Sequence, residues 1–210
     1  MLERISINEH SSIKIKDKLV IYFDPFRIKE NLHDADIIFV THSHFDHYSS
    51  EDINKVIKND SILVFPKSME KEIVEYIQNY NVILMDPFET KDILGIKVEG
   101  IPSYNINKPM HPKDNNWLGY IVTINDQRIY VCGDTDINDD VVKIKCDIAL
   151  VPVGGTYTMN AIEAAELVNK ITPRVAIPTH YGTLVGKVED GEIFKKNINE
   201  NIKVIEIIKF

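Results

Sequence analysis

Apolar residues along the chain fall into short runs separated by turn formers, the pattern of a protein built mainly from strands. SIKIK, KLVIYF and DIIFV occupy the first 40 residues, broken by Asp24-Pro25 and by Asp34-Ala35-Asp36. DIIFV is almost wholly apolar, as expected of a strand buried on both faces, and it leads straight into THSHFDHYSS. Ser49 or Ser50 is placed to cap a helix reaching about Lys58. SILVF then reads as a strand, MEKEIVEYIQNY as a helix and NVILM as a strand, completing a βαβαβ stretch. From Gly95 the texture becomes that of a meander: GIKVEGIPSY, WLGYIVTI and RIYVCG are strands, with turn chemistry at Asn125-Asp126 between the last two. The C-terminal third alternates again through DIALVPV, a helix over NAIEAAELVNKI, the strand RVAIP, a helix near GEIFKKNINE and a final strand KVIEIIK. Ala161, Ala164, Ala165, Val168 and Ile171 recur at spacings of three and four, so one face of that first helix packs on a sheet. Strands outnumber helices, which points to two mixed β-sheets packed face to face with helices outside, although pattern alone also admits a three-layer α/β fold.

Composition narrows the class. With 210 residues, 44% hydrophobic and 27% charged, the chain has the size and balance of one globular domain, 1–210, rather than of a disordered or fibrous protein. A net charge of −8 disfavours a general phosphate-backbone binder, so nucleic acid is not the expected partner. Cys132 and Cys146 form no CxxC pattern and read as reduced structural thiols. The N-terminal MLERISINEH lacks the apolar run of a secretory signal, and no stretch approaches 18 apolar residues. A cytoplasmic protein without a membrane partner is therefore expected.

Histidine placement carries the chemistry. An isolated histidine is ordinarily a solvated or satisfied polar residue. Here His42, His44 and His47 stand with Asp46 on a loop directly after a buried strand, and imidazole with carboxylate is the usual ligand mixture of hydrolytic metal sites. At extended spacing His42 and His44 project the same way and can grip one ion, while Asp46 and His47, on a turning chain, can grip a second. Other strand ends add donors: Asp134 in VCGDTD, His180 in IPTHYG, and Tyr104 and Asn105 in IPSYN with His111 six positions later. A carboxylate at Asp134 could bridge two cations.

HSHFDH, a histidine-bearing loop, GDTD and PTHYG, in that order, resemble the metallo-β-lactamase superfamily of metal-dependent hydrolases. YN…HP…WLGY, GDTD and PVGGTYTM are similar to its small branch related to the lactonase that opens ascorbate 6-phosphate. The resemblance covers roughly Ser11 to Gly182. It implies an α/β (α+β) fold, a four-layer αββα sandwich of two mixed sheets with a dinuclear site at one edge. It assigns His42, His44 and a third histidine to the first metal, Asp46, His47 and His180 to the second, and Asp134 between them. The commoner pattern has its third histidine where this chain has Asn105; His111, the one histidine in that region, is the favoured ligand, and Asn105 or a site with fewer protein ligands is the alternative. Two divalent ions are implied, zinc by default for such donors, with manganese and iron as alternatives.

The mechanism expected is hydrolysis by a hydroxide bridging the two ions, with Asp46 orienting it or passing its proton to the leaving group. Tyr104, Asn105, Tyr157 and Tyr181 are candidate substrate contacts, equally open to a loop-supporting role. Asp136 reads as a partner of a ligand histidine or as turn chemistry. Asp24-Pro25-Phe26 reads as a turn able to buttress the site, His33 as solvated and Cys132 as a core thiol; His10 reads as surface from the residues alone, while the resemblance implies a position near the site. The expected substrate is a small anionic ester, either a lactone or a phosphodiester, and a second copy of the chain is a candidate partner. A metal-dependent oxidoreductase and a non-catalytic metal-binding protein are the competing readings; flavin-dependent di-iron oxidases, however, carry glutamate where this chain has His44.

Overall fold

A computed structural model describes residues 2–208, in two compact units, Met1–Asp86 and Pro87–Phe210, each built round one mixed sheet. In the first, β1 (Ile5–Ile7), β2 (Ile13–Lys16), β3 (Val20–Phe23), β4 (Ala35–Phe39), β5 (Ile57–Pro66) and β6 (Asn81–Met85) lie in chain order. The pairings from β1 to β3 are antiparallel and those from β3 to β6 parallel. Parallel neighbours need crossovers; helix α1 (Ser50–Val56) lies in the β4–β5 connection and α2 (Val74–Asn79) in the β5–β6 connection. Ile38, Val40, Leu63 and Phe65 pack with Ile53 and Val56 of α1 and Tyr76 of α2. On the other face Ile21, Phe23, Ile37, Phe39 and Val64 are buried too, with the Phe23 and Phe39 rings stacked at 4.7 Å. β4 is thus covered on both sides, as its apolar run requires.

Ser49 caps α1, its hydroxyl accepting from the Asp52 amide at 3.2 Å. The helix stops at Val56 instead of near Lys58 because Ile57 already pairs with Ala35 and opens β5, which is longer than SILVF. The stretch MEKEIVEYIQNY is helical only over α2. Lys67–Met69 forms a separate 3-10 turn, and Met69 and Ile73 are buried through a bent segment that a continuous helix would not allow.

The second unit holds β7 (Thr90–Ile93), β8 (Ile96–Pro102), β9 (Leu118–Ile124), β10 (Gln127–Val131), β11 (Ile148–Pro152), β12 (Val175–Thr179) and β13 (Lys203–Val204), ordered from β13 at one edge to β7 at the other. The pairings from β7 to β10 form the antiparallel meander, and those from β10 to β13 are parallel. Asn125 and Asp126 both have positive φ, 49° and 60°, the geometry of a type I′ hairpin turn. Helix α3 (Ala161–Ile171) starts with a capping box between Asn160 and Glu163 and buries the anticipated Ala161, Ala164, Ala165, Val168 and Ile171, with Leu167 added. Helix α4 (Asp190–Lys196) follows β12. The last strand is two residues of KVIEIIK, whose Lys209 lies outside the described residues. Among the described residues no helix is long and apolar enough to cross a membrane. In both units the residues of interest follow the C-terminal ends of strands: Thr41 to His47 after β4, Asp134 after β10, His180 after β12.

Candidate metal centre

In the first unit one buried carboxylate organises two of the imidazoles. Asp24, 1% exposed, accepts from the Thr41 amide at 2.8 Å and from the Thr41 hydroxyl at 2.7 Å. Its Oδ2 also lies 2.7 Å from His47 Nδ1, which donates to it. Thr41 Oγ1, with its proton given to Asp24, accepts from His42 Nδ1 at 2.9 Å. Both histidines therefore carry their proton on Nδ1 and turn Nε2 outward as a lone pair, the arrangement by which a carboxylate orients metal-binding imidazoles. Burial pushes the Asp24 carboxyl up, and His47 and Thr41 oppose that rise. The turn that Asp24 was expected to shape is real, with φ at +45°, and the buttress is its principal contribution.

His42 Nε2 and His44 Nδ1 are 3.1 Å apart, and His47 Nε2 is 3.6 Å from Asp46 Oδ2. Ligands about 2.0–2.1 Å from a tetrahedral ion stand about 3.3 Å apart. Both pairs thus fit the edges of a coordination shell. His10, read as surface from the residues alone, is wholly buried with Nε2 3.1 Å from Asp46 Oδ2. No local pattern marks it, because the contact spans 36 positions.

The second unit gathers a matching set. Asp134 is presented by a turn whose Gly133 has φ +63°, and its backbone carbonyl accepts from Ser103 Oγ at 2.8 Å. Its Oδ2 is 3.3 Å from His111 Nε2 and 3.2 Å from His180 Nε2. Asn105 stands behind His111, not beside it: Asn105 Oδ1 accepts from His111 Nδ1 at 2.9 Å and from the His111 amide at 3.2 Å. The Tyr104 to Pro109 excursion is closed at its neck by the Asn105 amide donating to the His111 carbonyl at 2.7 Å. The chemistry of these donors, imidazole nitrogens and carboxylate oxygens at ligand spacing, fits a divalent cation in both units.

Backbone crowding fixes His180. A Cβ built on Gly154 would fall 2.2 Å from the His180 carbonyl oxygen. Gly154→Ala must therefore push the chain that carries His180. The expected result is a loss of about 1–3 kcal/mol in unfolding free energy together with weaker metal binding. Chemical denaturation and metal titration of the variant check both, and an unchanged protein would show that the backbone yields freely.

Residues 4–180 match the Beta-lactamase superfamily domain. The chain belongs to the metallo-β-lactamase superfamily of metal-dependent hydrolases. A UPF0173 metal-dependent hydrolase of Pyrococcus abyssi is 28% identical over 93% of this chain and 92% of its own length. One from Methanopyrus kandleri is 30% identical, covering 83% of this chain and 79% of its own. A solved protein of Parabacteroides distasonis superposes with TM-score 0.83 at 27% identity, over 98% of this chain and 93% of the other. The two mixed α+β sheets are thus those of the metallo-β-lactamase fold.

Within this superfamily member the expected substrate contacts separate. Asn105 is engaged at both ends of its amide, since Nδ2 donates to the Tyr157 carbonyl at 3.0 Å. Tyr104, 5% exposed, donates its hydroxyl to Asp140 at 2.9 Å and receives Lys113 Nζ at 3.2 Å, which makes it a brace of the loop. Tyr181 is buried against α4, where a Cβ on Gly191 would meet its hydroxyl at 2.6 Å, and burial pushes its phenol up to about 12. Tyr157 alone of the four is open, at 41% exposure. Asp136 touches no ligand histidine among its hydrogen bonds; it accepts from the Ile106 amide at 3.0 Å and pairs with Lys108, pinning the excursion that carries His111. His33 is exposed and donates Nδ1 to the Ile57 carbonyl at 2.8 Å, tying down the start of β5. Cys132 is fully buried in the core.

Proposed function

We propose that the two sets of donors serve one dinuclear centre that hydrolyses a small, anionic, ester-type substrate, a lactone or a phosphodiester. In this reading His42, His44 and His111 hold the first ion, Asp46, His47 and His180 the second, and Asp134 bridges them. The observation that carries it is the position of Asp134 Oδ2, within 3.3 Å of both His111, proposed for the first ion, and His180, proposed for the second, as a bridging carboxylate requires. Zinc suits this donor mixture, and manganese and iron also accept it. When bound, two such ions lower the pKa of a water toward neutrality and polarise the substrate's carbonyl or phosphoryl oxygen. Asp46, with its side chain 14% exposed, takes up the proton of the attacking water and hands it to the leaving group. Asp24 and Thr41 keep His42 and His47 in the metal-binding tautomer, and Asn105 does the same for His111. In this reading Tyr157, exposed and joined to Asn105 through its carbonyl, touches the substrate. The −8 charge of the chain is compatible with an anionic substrate, because two dications would offset half of it at the pocket. The reading is of an enzyme acting on a small molecule in the cytoplasm.

Metal analysis followed by a substrate panel tests the reading. Protein reconstituted with zinc, manganese or iron is expected to hold two equivalents and to turn over members of a lactone and phosphodiester panel, with activity abolished by chelation and restored by the metal. An iron centre that consumes oxygen would favour the oxidoreductase, and one equivalent or none, without turnover, the non-catalytic reading.

A further inference from the structure

The first unit contains an imidazole outside the seven proposed ligands that is aimed at one of them. His10 is 0% exposed and its Nε2 lies 3.1 Å from Asp46 Oδ2, an ordinary hydrogen-bond distance. Its backbone is held in the left-handed region at φ +58°, a conformation a non-glycine residue adopts only when its surroundings fix it. Those surroundings are explicit. The Asn8 amide donates to the Ser12 carbonyl at 2.9 Å and the Ser12 amide to the Glu9 carbonyl at 2.8 Å, closing the turn around His10. Asn8 Nδ2 donates to the Phe26 carbonyl at 2.7 Å, and the Phe26 amide donates back to Ser12 Oγ at 3.1 Å. The turn bearing His10 is thereby tied to the segment that begins with Asp24, the carboxylate that orients His42 and His47.

We infer that His10 is a positioning residue for Asp46, donating Nε2–H to Oδ2 so that the carboxylate stays turned toward the ion it binds. His47 cannot supply that hydrogen bond. Its proton is committed on Nδ1 to Asp24, and its Nε2 stands farther away at 3.6 Å. A carboxylate gives up side-chain torsional freedom on binding a metal, and a buried donor that orients it beforehand strengthens binding without contacting the ion. The inference rests on the proposed function in taking Asp46 as a ligand of the second of two ions.

Metal titration of wild type, His10→Leu and His10→Gln, followed by cobalt substitution and visible absorption, tests it. Glutamine places an amide N–H near the position of Nε2 but is a poor metal ligand. The expected result is two tight equivalents in wild type, one of them weakened about 10–100-fold in His10→Leu, and affinity within about threefold of wild type in His10→Gln with the cobalt spectrum unchanged. Equal weakening in both variants with an altered spectrum would overturn the inference by making His10 a ligand. Wild-type affinity in His10→Leu would overturn it by making the contact incidental. Failure of wild type itself to bind two equivalents would instead remove the dinuclear reading, and the role of His10 with it. Circular dichroism of the apo proteins reports folding separately, and the glutamine variant carries the test if the leucine variant does not fold.

Discussion

Asp46→Ala lowers turnover by about two to four orders of magnitude while the protein stays folded. Removing a positioned general acid or base ordinarily has an effect of this size, and here the same side chain is also a proposed ligand. Asp46 sits on a turn whose backbone bonds are made by others: the His47 and Tyr48 amides both donate to the His44 carbonyl, at 3.0 and 2.8 Å. The turn therefore survives truncation of the carboxylate. The lost hydrogen bond with His10 costs about 1–3 kcal/mol in stability. The defect should appear in kcat more than in KM, because the proton transfer belongs to the transition state. Steady-state kinetics beside a thermal melt decide it, and near wild-type turnover would remove Asp46 from the chemistry.

Asp24→Asn has the second largest expected effect, and it acts without touching a proposed ion. Asparagine keeps the volume but replaces one acceptor oxygen with a donor nitrogen. That nitrogen, set where Oδ2 accepts from both Thr41 Oγ1 and His47 Nδ1, requires His47 to accept at Nδ1 and so to carry its proton on Nε2, which closes that nitrogen to a metal. The Thr41 hydroxyl, no longer able to donate to Asp24, also loses its hold on the His42 tautomer. Metal affinity should fall about 10–100-fold in a protein that still folds. Competition with a chromophoric zinc chelator measures it directly. Unchanged affinity would mean that the imidazoles choose their tautomers unaided.

Both variants separate what a sequence can say from what only three dimensions can. The apolar run of β4, the alanine face of α3 and the Asn125-Asp126 turn are local properties, and each appears where the pattern places it. The cluster from His42 to His47 is legible for the same reason, since its donors share one loop. Elements governed by their neighbours are not. β7, Thr90–Ile93, carries Lys91 and Asp92 and pairs with β8 alone at the edge of its sheet, so its polar sequence hides it. β1 is too short at three residues to register as a run. The segment after β5 has helical composition, but burial of Met69 and Ile73 bends it and leaves six residues of helix. Asp24 and His10 are obscured by distance along the chain: the partners that define them lie 23 and 36 positions away. Asn105 is ambiguous by position alone, because only its geometry distinguishes a residue that binds from one that holds the binder.

The neck between Asn105 and His111 gives this protein a replaceable part. Both ends of the excursion are fastened to each other by main-chain and amide hydrogen bonds, and Asp136 grips it at Ile106 and Lys108. Ile106 and Met110, 55% and 42% exposed, make no demand on the sheets beneath. Selection can therefore rewrite the tip of this loop, in length or in polarity, without disturbing the histidine at its base. Changes confined to that tip alter the surface the loop presents while the main-chain neck that holds His111 beside Asp134 stays as it is.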